Sequence, residues 1–168
     1  MIVVVMGVSG AGKTTVGTAL ATALGWESLD ADEFHPPENV AKMAAAVPLT
    51  DADRWPWLDR LNRELCARES RGGSAVLACS ALKEAYRARL MKGICDARLV
   101  HLRGSIEFIR ARMATRKHKY MPAALLESQF DTLEPPQDAV EIDAGLPVAE
   151  AVERIRAALV TKGPARTP

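Results

Sequence analysis

With 168 residues, 48% of them hydrophobic and 26% charged, the chain has the length of one soluble domain and enough apolar residues for a sizeable core. A net charge of +1 excludes a global field favouring nucleic acid or an anionic membrane, and no apolar stretch approaches the roughly 18 residues of a membrane span. Cys66, Cys79 and Cys95 are odd in number and lack C-x-x-C spacing, which argues against a disulfide framework or structural zinc site and fits a reducing cytosol.

The elements alternate along the chain. Met1–Met6 is a continuous apolar, β-branched run, the kind buried on both faces of a parallel sheet. It is too short for a signal-peptide core and has no basic region ahead of it, so a cytoplasmic location is expected. Directly behind it stands Gly7-Val8-Ser9-Gly10-Ala11-Gly12-Lys13-Thr14, the pattern G-x-x-x-x-G-K-[ST] between a strand and a helix. Its glycines let successive N–H groups turn inward around a polyphosphate, and the helix behind adds its positive end. Gly7 to Thr14, with Thr15, is the expected nucleotide cradle; Lys13 reaches the β- and γ-phosphates and Thr14 joins a Mg²⁺ shell.

Thr14–Leu24 reads as a helix stopped at Gly25, and Trp26–Asp30 as a strand delivering Asp30 and Asp32 to its carboxyl end. Pro36-Pro37 opens a short helix through Ala46. Asp53, Arg54 and Pro56 introduce a longer one, whose Trp57/Leu58, Leu61 and Leu65 keep helical spacing until Gly72-Gly73. Ser74–Cys79 is a buried strand and Ala81–Lys92 a helix. Arg98–Leu102 is a strand, Ser105 to about Ala114 a helix, and Pro122–Leu133 another helix, stopped by Pro135-Pro136. Val140–Asp143 is the fifth strand and Val148–Val160 the closing helix, with residues 161–168 expected to be a disordered tail. The expected fold is one α/β domain over residues 1–160: a three-layer phosphate-loop architecture, its five-stranded parallel sheet covered by helices on both faces, with a small helical lid over about 112–133.

Ligands of such sheets bind at the carboxyl ends of the strands, where the phosphate loop, Asp30/Asp32 and Cys79-Ser80 all fall. Of the two aspartates, one can organise the water shell of Mg²⁺ while the other orients an attacking hydroxyl; alternatively, one of them caps the next turn. His35 gains interest from its place three residues past Asp32. Asp51-x-Asp53-Arg54 reads on its own as a capping segment ahead of a helix. Lys83 and Arg87, one turn apart, suit either an anionic acceptor or a solvated helix face. The basic run Arg110 to Tyr120 fits a lid closing over triphosphate better than a nucleic-acid patch, given the near-zero net charge.

Collected, these residues resemble the gluconokinase family, in the shikimate-kinase and nucleoside-monophosphate-kinase-like branch of phosphate-loop kinases. The resemblance runs from about Val4 to Asp143. It rests on Met6 to Thr14, on Leu29-Asp30-Ala31-Asp32 with His35-Pro36, on Asn39 with Lys42-Met43, and on Pro48 to Leu58. It continues through Cys79-Ser80-Ala81-Leu82-Lys83 with Tyr86-Arg87, Tyr120-Met121-Pro122, Ser128-Gln129-Phe130 and Leu133-Glu134-Pro135. It implies Mg·ATP-dependent phosphorylation of D-gluconate at its 6-hydroxyl by a cytosolic protein, commonly a homodimer. Asp32 is then at the acceptor hydroxyl, Asp30 and Thr14 at the metal, and His35, Arg54, Lys83, Arg87 and Gln129 around the sugar acid. Arg112 is implied to pack on the adenine and Arg116 to reach the phosphates.

The chain departs from the family's usual pattern at Ala31 and Ala46, where Gly is common, and in the lid, where Lys119 precedes Tyr120 and His118 stands one place early. An Ala is a cost at either loop position if the backbone there needs a positive φ. The nearest rival, shikimate kinase, is expected to carry a Gly-rich turn after the third strand, where this chain has Cys79-Ser80-Ala81. A GTPase switch needs N-K-x-D and D-x-x-G segments, and neither occurs.

Overall fold

The computed structural model describes residues 1–45, 47–115 and 123–161. Strands β1 (Ile2–Met6), β2 (Glu27–Asp30), β3 (Ala75–Ala78), β4 (Ala97–Arg103) and β5 (Val140–Asp143) form one parallel sheet in the order β2-β3-β1-β4-β5. The helices are α1 (Lys13–Leu24), α2 (Pro37–Ala44), α3 (Asp51–Ser70), α4 (Glu84–Met91), α5 (Ile106–Thr115), α6 (Ala123–Thr132) and α7 (Val148–Thr161). β1 lies at the centre, and every one of its residues is fully buried. Its alternation splits the core into two layers. Val3 and Val5 pack with Val16 and Leu20 of α1 and with Val152 and Ile155 of α7, while Ile2, Val4 and Met6 pack with Leu58, Leu61 and Leu65 of α3 and Leu90 of α4.

This topology places the loop after β1 between strands that leave in opposite directions along the sheet, the crevice where α/β sheets bind ligands. Asp30, Val5 and Ala78 share one register across β2, β3 and β1, so the carboxyl ends of these strands are level.

Several element boundaries differ from expectation. α3 begins at Asp51, before the expected Asp53, because Thr50 and Asp53 form a reciprocal capping box: Asp53 N–H donates to Thr50 Oγ1 at 3.2 Å and Thr50 N–H to Asp53 Oδ2 at 2.9 Å. The Asp51–Arg54 segment is therefore the first turn of α3, and Pro56 lies inside the helix. α4 begins at Glu84, not Ala81. Ala81 takes φ +44°, the one left-handed non-glycine among the described residues, and Lys83 is extended as the N-cap. Ala31 has no positive φ and opens a 3₁₀ turn, Ala31–Phe34, so the anticipated cost of Ala does not arise there. Thr161, expected in the tail, ends α7; residues 162–168 lie outside the described residues, as do Ala46 and the lid residues Arg116, Lys117, His118, Lys119 and Tyr120.

Candidate active site

The donor half is built by the turn between β1 and α1. Gly7 has φ +142°, and a Cβ there would stand 2.8 Å from the Leu102 carbonyl oxygen, so only glycine lets the loop leave the sheet beside β4. Gly12, at φ +100°, turns the chain so that α1 starts at Lys13 with its first N–H groups facing the loop. Lys13 folds back across the loop, its Nζ donating to Val8 O at 3.1 Å. Burial pulls the Lys13 pKa below its ordinary value, with Asp32, Cys79 and Asp30 acting in the opposite direction. Cys79 lies buried close by, and burial pushes its thiol up to about 12, so it remains a protonated, unreactive packing residue.

Asp30 caps the next turn, one of its sequence readings, and also bonds Thr14. Its Oδ1 accepts from Asp32 N–H at 3.1 Å, capping the 3₁₀ turn, while its Oδ2 accepts from the Thr14 hydroxyl at 2.8 Å. The carboxylate and hydroxyl thus meet at the mouth of the loop, a donor set suited to a hard cation held mainly by phosphate oxygens and water. Among the described residues no group of three His, Cys, Asp or Glu is placed to hold a metal ion.

Asp32, just past the carboxyl end of β2, has its side chain 86% exposed. Its pKa is raised, first by desolvation and then by the Asp30 charge, with Lys13 opposing. These charge effects strengthen when a bound substrate displaces the water. His35 stands behind it, its Nε2 4.0 Å from Asp32 Oδ1 and its side chain only 4% exposed. The His35 ring stacks on Trp57, centroids 4.1 Å apart, and Trp57 Nε1–H donates to Ala31 O at 2.8 Å. Asn39 Nδ2 donates to Asp53 O at 2.9 Å and lies 3.3 Å from His35 Nδ1. Since that amide nitrogen is a donor, Nδ1 accepts, and the neutral imidazole carries its proton on Nε2, facing Asp32.

Burial, with Arg54 adding to it, lowers the His35 pKa from 6.5 to about 4. The unfolded chain therefore binds the proton first, and stability falls as pH drops from about 6.5 to about 4, by at most about 3 kcal/mol. Urea unfolding of wild type and His35→Gln should show this as a steeper loss for wild type between pH 7 and pH 4. Parallel curves would remove the neutral, buried imidazole from the account.

The acceptor side is a cluster of cations around Asp51. Lys83 Nζ donates to both carboxylate oxygens of Asp51 at 3.0 Å, Tyr86 donates its hydroxyl to Oδ1, and Arg54 Nη1 lies 3.9 Å away. These contacts hold the Asp51 carboxyl below its usual range. The Tyr86 ring lies under both cations, 5.5 Å from Arg54 and 5.3 Å from Lys83. Asp53 is occupied by the cap and by Lys42 at 2.6 Å.

Lys13, Thr14, Asp30 and Asp32 therefore meet as expected, with His35, Arg54 and Lys83 along the adjoining edge. Two residues are placed otherwise. Arg87 does not share a face with Lys83: it is 2% exposed and its guanidinium points inward. Gln129 lies on the donor side, its Oε1 accepting from Ser9 N–H at 2.7 Å. Arg112 donates to Ala144 O at 2.8 Å and to Ala11 O at 3.3 Å, beside a cleft of about 410 Å³ lined by Phe108, Ala111, Thr115, Gly145 and Leu146. An apolar cleft edged by a guanidinium, next to the phosphate loop, suits a flat heterocyclic base. Asn39, Trp57, Asp51 and Tyr86 were assigned no place in the site by the sequence reading, although all four lie inside or beside its matching blocks.

A phosphate loop with its lysine, facing two aspartates and a cationic acceptor edge, defines an ATP-binding phosphate-loop phosphotransferase. A family model described as an AAA domain matches residues 2–136. The chain is 45% identical to a probable gluconokinase of Xenopus tropicalis, over 88% of each chain. It is 41% identical to the thermosensitive gluconokinase of Escherichia coli K12, over 94% of this chain and 86% of that one. A crystal structure of a gluconokinase from Sinorhizobium meliloti 1021 superposes with a TM-score of 0.86 at 42% identity, covering 94% of this chain and 90% of that one. The chain belongs to the gluconokinase family.

Proposed function

We infer that the protein transfers the γ-phosphoryl group of ATP to the 6-hydroxyl of D-gluconate. The observation that supports this reading is that Lys13 interacts electrostatically with Asp32 and Asp30, while His35, 4.0 Å from Asp32, feels Arg54 of the edge that also carries Lys83. The sugar-acid carboxylate pairs with that cationic edge, which directs the far end of the chain, with its hydroxyl, toward Asp32. Asp32 accepts a hydrogen bond from this hydroxyl and aligns it with the phosphorus; the new O–P bond forms as the bond to ADP breaks, and the proton leaves by way of Asp32. Lys13 stabilises charge on the transferring group, and the neutral His35 offers its Nε2–H beside Asp32. Mg²⁺, which Asp30 and Thr14 would hold through phosphate and water, supplies further neutralisation of phosphate charge. Arg112 and the cleft beside it take the adenine.

An ADP-release assay with Mg·ATP across gluconate, other sugar acids, shikimate and nucleoside monophosphates tests the reading. Gluconate should be turned over fastest; turnover of shikimate or a monophosphate with none of gluconate would overturn it. Lys83→Ala should raise the gluconate KM about tenfold, the loss of one charge-assisted contact, with the ATP KM unchanged. An unchanged gluconate KM would take Lys83 out of the acceptor site. The resemblance also supports a cytoplasmic homodimer. Sedimentation at micromolar concentration should give twice the chain mass, and a single-chain mass would discard the dimer.

A further inference from the structure

The turn from β3 into α4 carries a conformation that its own sequence does not favour. Ala81, 2% exposed, sits at φ +44°, a left-handed conformation that L-residues rarely adopt. Ala-Leu-Lys-Glu would continue as helix at less cost, and Lys83 would then point elsewhere. The surroundings hold the turn from three sides. Gly7 N–H, at the start of the phosphate loop, donates to Ser80 O at 3.4 Å. Arg87 Nη1 donates to Ala81 O and Leu82 O, both at 3.0 Å, while its Nε and Nη2 donate to Glu84 Oε2 at 3.1 and 2.7 Å. Just beyond α6, Glu134 N–H donates to Leu82 O at 2.9 Å, and Glu134 Oε2 accepts from Glu84 N–H at 2.6 Å.

A buried guanidinium whose donors converge on two carbonyls of one turn and on the first residue of the next helix is a clamp. Four of its five N–H donors are engaged there, and the side chain is buried. We infer that Arg87 is a positioning residue for phosphoryl transfer: with Glu134 it fixes the Ala81–Glu84 turn so that Lys83 reaches the acceptor edge, and neither residue touches substrate. The same arrangement links the two halves of the site, since α6 contacts the donor loop through Gln129 and its following segment contacts the acceptor turn through Glu134. This inference rests on the gluconate reading for its kinetic arm only.

The test compares wild type, Arg87→Met, Arg87→Lys, Glu134→Ala, Lys83→Ala and the Arg87→Met/Lys83→Ala double variant by initial rates, with gluconate and ATP each varied. Arg87→Met should raise the gluconate KM about fivefold, leaving the ATP KM within twofold, and Arg87→Lys should recover part of the loss. The double variant should be no worse in gluconate KM than Lys83→Ala, because Arg87 acts through Lys83. A merely structural Arg87 would lower the melting temperature and the active fraction yet leave KM unchanged, which would overturn the inference. If Arg87→Met fails to fold, the exposed Glu134→Ala carries the test, with a gluconate KM raised about threefold. Hydrogen exchange gives a readout independent of substrate: the amide of Glu84, whose acceptor is removed, should lose protection at least tenfold in Glu134→Ala. If wild type does not phosphorylate gluconate, the functional reading falls while exchange still decides the clamp. Unchanged exchange and unchanged KM together would remove it.

Discussion

Replacing Lys13 by methionine is expected to reduce turnover by at least about 10³-fold while leaving the fold at least as stable as wild type. The first half follows from where charge develops. A preorganised donor aimed at the transferring group contributes on the order of 10²–10³ in rate even when it is neutral, and Lys13 brings a full charge to a loop otherwise built from backbone N–H groups. The second half follows from the electrostatics of the free protein. Burial already disfavours the Lys13 ammonium and lowers its pKa, and its side chain donates to Val8 O. Methionine keeps the stem and removes the desolvated charge, so the melting temperature should stay the same or rise. ADP release and calorimetry on the same preparation check both halves. Turnover within tenfold of wild type would remove Lys13 from transition-state stabilisation, and a clear drop in melting temperature would mean that the lysine also holds the loop.

How far a feature was legible in the sequence depended on whether local chemistry or distant contacts determine it. β1 and β3 read correctly because each is a short, fully buried apolar run bounded by loop residues, whereas β2, with Leu29 as its one apolar residue, was placed by the Gly25 stop ahead of it; Val140–Asp143 matches to the residue. The phosphate loop read correctly because its glycines satisfy a backbone need stated in the sequence itself. The start of α3 was also written locally, as Thr50 and Asp53 of a capping box, but Pro56 offered a competing helix-start signal five residues later. The start of α4 was not legible at all. Nothing between Ser80 and Glu84 announces a left-handed Ala81; that conformation is imposed by Arg87, Glu134 and Gly7, from three separate parts of the chain. The same burial explains Arg87. Helical spacing put it beside Lys83, and only packing shows that the guanidinium turns inward. His35 shows the converse. Its sequence position pointed to the site, yet its neutral state comes from burial and Arg54, its proton location from Asn39, and its stacking from Trp57, 22 residues away.

Asp32→Asn and Asp30→Asn should separate the two aspartates that lie side by side at the end of β2. The hydrogen bonds already divide their work. Asp30 accepts from Thr14 and from Asp32 N–H, so both of its oxygens are engaged in the loop mouth and the 3₁₀ turn. Asp32 carries no such pair of bonds among the described residues, and its side chain is exposed. Asp32→Asn should therefore fold normally, with the turn still capped, and lose about 10²–10⁴-fold in kcat with a small change in gluconate KM. Asp30→Asn should chiefly raise the Mg²⁺ requirement and lower the melting temperature. The pH profile supplies an independent check. A base works only when deprotonated, so the rate falls as pH drops through its pKa, and the raised pKa of Asp32 puts that acid limb above the ordinary carboxylate range. Wild type should show the limb in kcat/KM and Asp32→Asn should lack it. If the limb persists in Asp32→Asn and disappears in Asp30→Asn, the roles are exchanged. If it persists in both, neither carboxylate takes the proton, and Asp32 contributes alignment alone, as a loose phosphoryl-transfer transition state allows.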